Sequence, residues 1–284
     1  MNNLRYIKSK QKIWAAINGV DIIGSKVALG EKCYTKHWED NFFQPLNDDT
    51  LQEIRNRCAE EFGDGVHPGM IQALHSSIAL TLNVMDYWRH REDRSELAVA
   101  LRIPSRNISG ISFEKNMPFL PESGEPWHVD IVFEYENGDC CAIENKFAEP
   151  FLIRRGEYGL REKQIQAYGG WAHLPAMHDM ARNLCPADTT YRIFHPAQLI
   201  KHTMGLMNKY GNDKSRFRVV YLYYDGFGEE GYVHEKEIQA FADVAKQDGI
   251  RFQARTWQET ILNLNDYPEA RHIDYVNYLF SRYV

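Results

Sequence analysis

The alternation of apolar and polar positions divides the chain into stretches with helical period and short runs of β-branched and aromatic residues that read as strands. The clearest strand pair is Val129 to Tyr135 and Cys140 to Phe147, separated by Glu136-Asn137-Gly138-Asp139, whose composition is that of a tight turn. This predicts a β-hairpin. Upstream, Thr50 and Glu53 have capping-box spacing, and Leu51, Ile54 and Cys58 give a helical stripe that Gly63 to Gly65 ends. Met70, Ala73, Leu74, Ile78, Val84 and Met85 predict a first long core helix reaching about Arg91. Residues 92 to 108 read as charged and irregular, and Gly110 to Lys115 as a short strand cut off by Pro118 and Pro121. Past the hairpin, helices are predicted over Leu160 to Leu174 and Pro196 to Tyr210, followed by an aromatic core strand from Arg218 to Asp225. A helix from Glu235 to Gln247, a strand at Ile250 to Ala254, a helical turn near Gln258 and an amphipathic helix from Pro268 to Arg282 complete the pattern. Residues 1 to 47 carry no clean period and are expected to form a small accessory layer.

Helix, strand, hairpin, helix, strand is the order of an α/β fold with a mixed central sheet. A chain of 284 residues, 44% hydrophobic and 13% aromatic, has ample material for a core. No repeat or flexible linker divides it, so a single domain over 1–284 is expected. The formal net charge of −6 provides no global attraction to nucleic acid, which counts against a pure binding module and requires any groove for DNA to be a local concentration of Lys and Arg. The five cysteines, at 33, 58, 140, 141 and 185, lack Cys-x-x-Cys spacing and read as reduced thiols. No apolar run approaches the roughly 18 residues of a membrane span, and the first residues lack a signal-peptide core, so a cytoplasmic chain with no membrane partner is expected.

Three groups in the hairpin carry the chemistry. Alternate strand residues share a face, so Glu144 and Lys146 project together while Asn145 points to the other side. Asp130, 14 positions before Glu144 and across the turn, is expected beside it on the neighbouring strand. Charges at the end of an apolar run are costly unless paired or metal-bound. Two carboxylates suit a hard divalent cation, and a lysine beside them suits orientation of a water or stabilisation of developing negative charge.

Asp130 followed by Glu144-Asn145-Lys146 resembles the PD-(D/E)XK nuclease superfamily, whose signature is an acid opening one strand and Glu-x-Lys on the next. Val129 stands where the signature has proline. The resemblance covers about 68–225 and implies a restriction endonuclease-like core, a mixed central β-sheet flanked by helices, with N- and C-terminal embellishments. It further implies metal-dependent hydrolysis of phosphodiester bonds in nucleic acid, DNA in particular, with Mg²⁺ or Mn²⁺ held by Asp130 and Glu144 and with Asp130, Glu144 and Lys146 as catalytic residues. Gln164 and Tyr168, four apart on the helix that follows, match the Gln-x-x-x-Tyr element of the RecB-like branch and are expected to border the site and position substrate. The alternative is a catalytically inactive nucleic-acid-binding or assembly protein on the same fold. A homodimer is left open.

Several features stand outside this set. His75, Glu114 and His128 are side chains whose place at the site the sequence leaves open. Arg154, Arg155, Arg161 and Lys163 make a basic stretch suited to phosphate. Gly226-Phe227-Gly228-Glu229-Glu230-Gly231 has the spacing of a dinucleotide loop, but its glutamates would sit where a pyrophosphate needs amides and positive potential.

Overall fold

The structure, a computed structural model, describes residues 2–24, 31–64, 67–117, 127–152, 159–266 and 269–284. The chain begins with α1 (Asn3–Ile17), capped by the Asn2 side chain, which accepts the Arg5 N–H at 3.0 Å. A small antiparallel pair, β1 (Ile22–Gly24) and β2 (Lys32–Thr35), follows, and then α2 (Asp48–Arg57), α3 (Ser77–Arg89) and α4 (Ser95–Ala100). Next come β3 (Ile108–Met117), β4 (Trp127–Tyr135) and β5 (Cys140–Lys146). The second half contains α5 (Glu162–Ala167), α6 (Pro175–Asn183), α7 (Pro196–Lys209), β6 (Phe217–Tyr223), α8 (Gly228–Gln247), β7 (Phe252–Thr256), α9 (Trp257–Asp266) and α10 (Ile273–Tyr283).

Five strands form the central sheet in the order β3-β4-β5-β6-β7. The first two pairings are antiparallel and the last two parallel, so the sheet is mixed. A tight turn explains the second of the antiparallel pairings: Gly138 supplies φ +80 between β4 and β5, a backbone conformation that side chains with a Cβ rarely adopt. Parallel pairing of β5 with β6 requires a long crossover, which α5, α6 and α7 provide. Helices cover both faces. Cys141, Ile143, Val220 and Leu222 pack into one core with Trp88, Leu97, Trp257 and Tyr275, whereas Cys140, Ala142, Val219 and Tyr221 join Met177, Leu199, Met204 and Phe241 on the other. A strand buried on both faces reads as a near-continuous apolar run, which is why the period of β5 and β6 is weak in the sequence.

Several expected elements form differently. The Thr50 hydroxyl does not cap; it donates to Asp86 Oδ1 at 2.5 Å, and α2 starts two residues earlier, at Asp48. The helix expected from Met70 is a 3-10 turn at Met70–Gln72 followed by α3, because Ser76 adopts an extended backbone and accepts the Ala79 N–H at 3.3 Å as an N-cap. Ser95 to Ala100, expected to be irregular, is helical. The helix expected over Leu160 to Leu174 breaks at Tyr168, whose ψ of 111° is extended, leaving α5, a 3-10 turn at Trp171–His173 and then α6. The glycine-rich dinucleotide spacing is the start of α8, where Glu230 accepts bonds at 2.9 Å from the Asn3 backbone and side chain. Gly65, Pro118, Pro121, Arg154, Arg155 and Pro268 lie outside the described residues.

Candidate active site

The ends of β4 and β5 set the geometry. The pairing Ile131 to Ile143 brings the residues just beyond it, Asp130 and Glu144, to neighbouring strands. Asp130 Oδ2 accepts the backbone N–H of Asn145 at 2.7 Å. Alternation along β5 separates the next three side chains. Glu144 faces α7, where its Oε2 lies 2.5 Å from His202 Nε2. Asn145 turns to the opposite side, donating to Ser77 O at 3.0 Å and accepting the Trp257 indole N–H at 2.7 Å. Lys146 returns to Glu144, with Nζ 2.5 Å from Oε1. Both Glu144 oxygens are therefore engaged, and the carboxylate is 2% exposed.

A cavity of about 320 Å³ opens beside these strand ends. Asp130, Lys146, Glu114, Glu61, Glu149 and the Ser76-Ser77 start of α3 line it; Glu144 stands behind that wall. The carboxylates crowd one another. Burial, reinforced by Asp130 and Glu144, pushes the Glu114 carboxyl up to about 8. Burial and then the Glu144 charge push Asp130 up to about 7, against the pull of Lys146 and the Asn145 N–H. Burial, with Glu60 and Glu149, also raises Glu61. For Glu144 burial acts upward too, but the Lys146 ammonium and His202 outweigh it and hold the group down at about 2. Lys146 shows the reverse balance: burial opposes its charge, yet Glu144, Asp130 and Glu149 keep its pKa above the ordinary lysine value.

Glu114, left open by the sequence, belongs to this cavity wall. Its backbone has φ +46, an unusual conformation for a residue with a Cβ, and Arg57 of α2 holds it by donating to the carbonyls of Phe113 and, at 2.7 Å, Glu114. Pairing of Phe113 with Ile131 and of Lys115 with Val129 places Glu114 level with Asp130. His75 also lines the cavity, with Nδ1 3.5 Å from Cys33 Sγ, and burial lowers its pKa to about 4, so it is neutral. His128 is half-buried on β4 opposite Asn116 and does not line the cavity.

Gln164 and Tyr168 stand elsewhere. The Gln164 side chain accepts the Arg161 N–H at 2.9 Å and closes the first turn of α5. Tyr168 ends that helix and is buried against Trp171, with ring centroids 4.8 Å apart. Neither is part of the cavity wall: Gln164 is engaged with the Arg161 backbone, and Tyr168 packs into the core with Leu174, Met177 and Leu199.

A second cluster of ligand-type side chains, Asp93, Glu96, Glu269 and His272, has donor atoms within 4.8 Å of one another. It is already paired internally: Arg271 bridges Asp93 at 2.5 Å and Glu269 at 2.9 Å, while His272 bonds Asp93 and the Tyr87 hydroxyl, each at 2.8 Å. These residues lie outside the cavity at the ends of β4 and β5. No helix among the described residues is long and apolar enough to cross a membrane.

No curated protein and no solved structure matches the chain. The model of one family, described as Restriction Endonuclease associating with ARP, matches residues 10–284, a span that includes the whole central sheet and every side chain of the cavity wall. The α/β fold with its mixed sheet agrees with a restriction endonuclease-like core, and the chain belongs to that restriction endonuclease family.

Proposed function

We propose that the protein is a divalent-metal-dependent nuclease of PD-(D/E)XK type that hydrolyses phosphodiester bonds in DNA, with Asp130 and Glu144 as metal ligands and Lys146 beside them. The observation that carries this reading is the meeting of an aspartate on β4 with Glu-x-Lys on β5 at the wall of an acid-rich cavity. The donor set fits a hard cation such as Mg²⁺ or Mn²⁺: Asp130 and Glu114 are oxygen donors on the cavity wall whose pKa values are raised first by burial and then by neighbouring carboxylates, Glu144 for both and Asp130 for Glu114, and a cation would relieve that crowding. Such an ion supplies charge neutralisation at the scissile phosphate and eases deprotonation of water.

The chain's own groups divide the remaining work. Lys146 is held charged by its carboxylate neighbours, and in that state it would donate to a developing oxyanion or orient the attacking water. The start of α3, with Ser76 and Ser77 on the cavity wall, adds the positive end of a helix dipole where a phosphate would enter. Cleavage of circular and linear DNA with and without Mg²⁺ tests the reading. Metal-dependent cleavage is expected, and an inert protein at every metal concentration would remove it. One feature favours a catalytically inactive nucleic-acid-binding or assembly protein instead: both Glu144 oxygens are already bonded. DNA binding without cleavage is the outcome that selects that alternative.

His202 acts through Glu144 in this scheme. Substitution His202→Gln keeps a donor but changes its reach, and kcat is expected to fall about 10- to 100-fold with little change in KM. An unchanged kcat in a folded variant would show that His202 only fills the core.

A further inference from the structure

At the opposite end of the same strands lies a second pocket, of about 190 Å³, whose character is the reverse of the first. Arg106, Arg216, Arg218 and Arg251 line it, with Asp139 as the one acidic side chain of its wall. Four guanidiniums in one small pocket are unexpected in a chain of net charge −6. Asp139 is committed to Arg216, which also donates to Asn137 O at 3.0 Å and stands over the Tyr210 ring. Among the described residues no carboxylate makes a direct ion pair with Arg106, Arg218 or Arg251, although the Asp213 carboxylate lies near enough to feel the Arg251 charge. The Arg218 Nε is buried without a hydrogen-bond partner, an arrangement that costs free energy unless something outside the chain accepts the bond.

The fold holds these groups in place. Arg218, the second residue of β6, lies beside Cys141 of β5, and Arg251 immediately precedes β7 and donates to Ser215 O. The loop carrying Arg106 is tied down by the Tyr135 hydroxyl on Pro104 O and by Glu136 N–H on Asn107 O, each at 2.9 Å. Cys140 and Lys146 mark the two ends of β5, six residue steps or ~20 Å apart, so this pocket is separate from the acidic cavity.

We propose that the pocket binds the phosphoryl group of a small phosphorylated molecule, with Arg106, Arg218 and Arg251 as its donors. Guanidinium forks match phosphate oxygens in bidentate geometry. The volume is below the roughly 300 Å³ at which pockets begin to enclose whole drug-sized ligands, so it suits a phosphate or pyrophosphate group with any remaining moiety left outside.

Calorimetric titration of the full chain with inorganic phosphate, pyrophosphate and ADP, in low-salt chloride buffer containing EDTA, tests this without reference to nuclease activity. Saturable binding of at least one is expected, weakened about tenfold or more by Arg218→Met and by Arg106→Glu. Arg106 is exposed on a loop, so its variant serves even if Arg218→Met does not fold. Phosphate binding as tightly as ADP assigns the free anion, and clearly tighter ADP or pyrophosphate assigns a diphosphate group. No saturable binding of any of the three below about 10 mM, or affinity unchanged in the folded variants, would overturn the assignment.

Discussion

Asparagine at position 130 is expected to abolish metal-dependent cleavage and, in EDTA, to make the protein more stable at pH 8. The two effects have one cause. Burial and the Glu144 charge push the Asp130 carboxyl up to about 7 in the folded chain, whereas an exposed aspartate titrates near 4. An acid whose pKa is raised on folding contributes stability below its unfolded value, and that contribution is lost as pH rises through about 7. A neutral amide of the same size escapes the loss and can still accept the Asn145 N–H that Asp130 Oδ2 accepts at 2.7 Å. The shift sets an upper figure of roughly 4 kcal/mol for the gain at pH 8, shrinking to about a third of that at pH 5. Urea denaturation of both proteins at the two pH values measures it. Equal destabilisation of Asp130→Asn at pH 5 and pH 8 would contradict the electrostatic origin.

The Lys146 and Glu144 pair gives the second large effect. Lys146→Met leaves the Glu144 carboxylate buried with His202 as its remaining hydrogen-bond partner, and breaking a buried pair in this way costs about 3–5 kcal/mol. Adding Glu144→Gln removes the stranded charge, so the double variant should recover most of the lost stability. Cleavage should not recover: each single variant and the double are expected to lose about 10²- to 10⁴-fold or more in turnover. Stability and activity are thereby separated by one double-mutant cycle. Strictly additive stability losses, or Lys146→Met with full turnover, would argue against the pairing or against the role given to Lys146.

The hairpin and its three groups were legible because their signals are local. Glu136 to Asp139 announces the turn, and alternation along β5 sends Glu144 and Asn145 to opposite faces. Pro196 to Lys209 and the aromatic run of β6 were equally plain, since each is long and apolar enough for its period or composition to dominate. What could not be read was contact between distant segments. Glu114 joins the cavity through the register of β3 on β4 and the grip of Arg57, 57 positions away, on its carbonyl. His202 meets Glu144 across 58 positions, and its local signal was only a histidine set among the buried apolar residues of α7. The break after α5 also had a nonlocal component, since Tyr168 and Leu174 leave the helix to pack in the core beneath α6 and α7. Gln164 and Tyr168 have the spacing of a family element, but spacing transfers function only when the helix continues, and here it stops at Ala167.

Binding of Mn²⁺ to the wild type and to Asp130→Asn at pH 8, followed by electron paramagnetic resonance, tests the proposed metal centre most directly. Wild type should bind the ion, and Asp130→Asn should bind it about 100-fold more weakly while remaining folded. Equal affinity in the two proteins would place the ion elsewhere, with Asp93, Glu96, Glu269 and His272 as the next donor cluster, and would contradict a metal centre at the ends of β4 and β5.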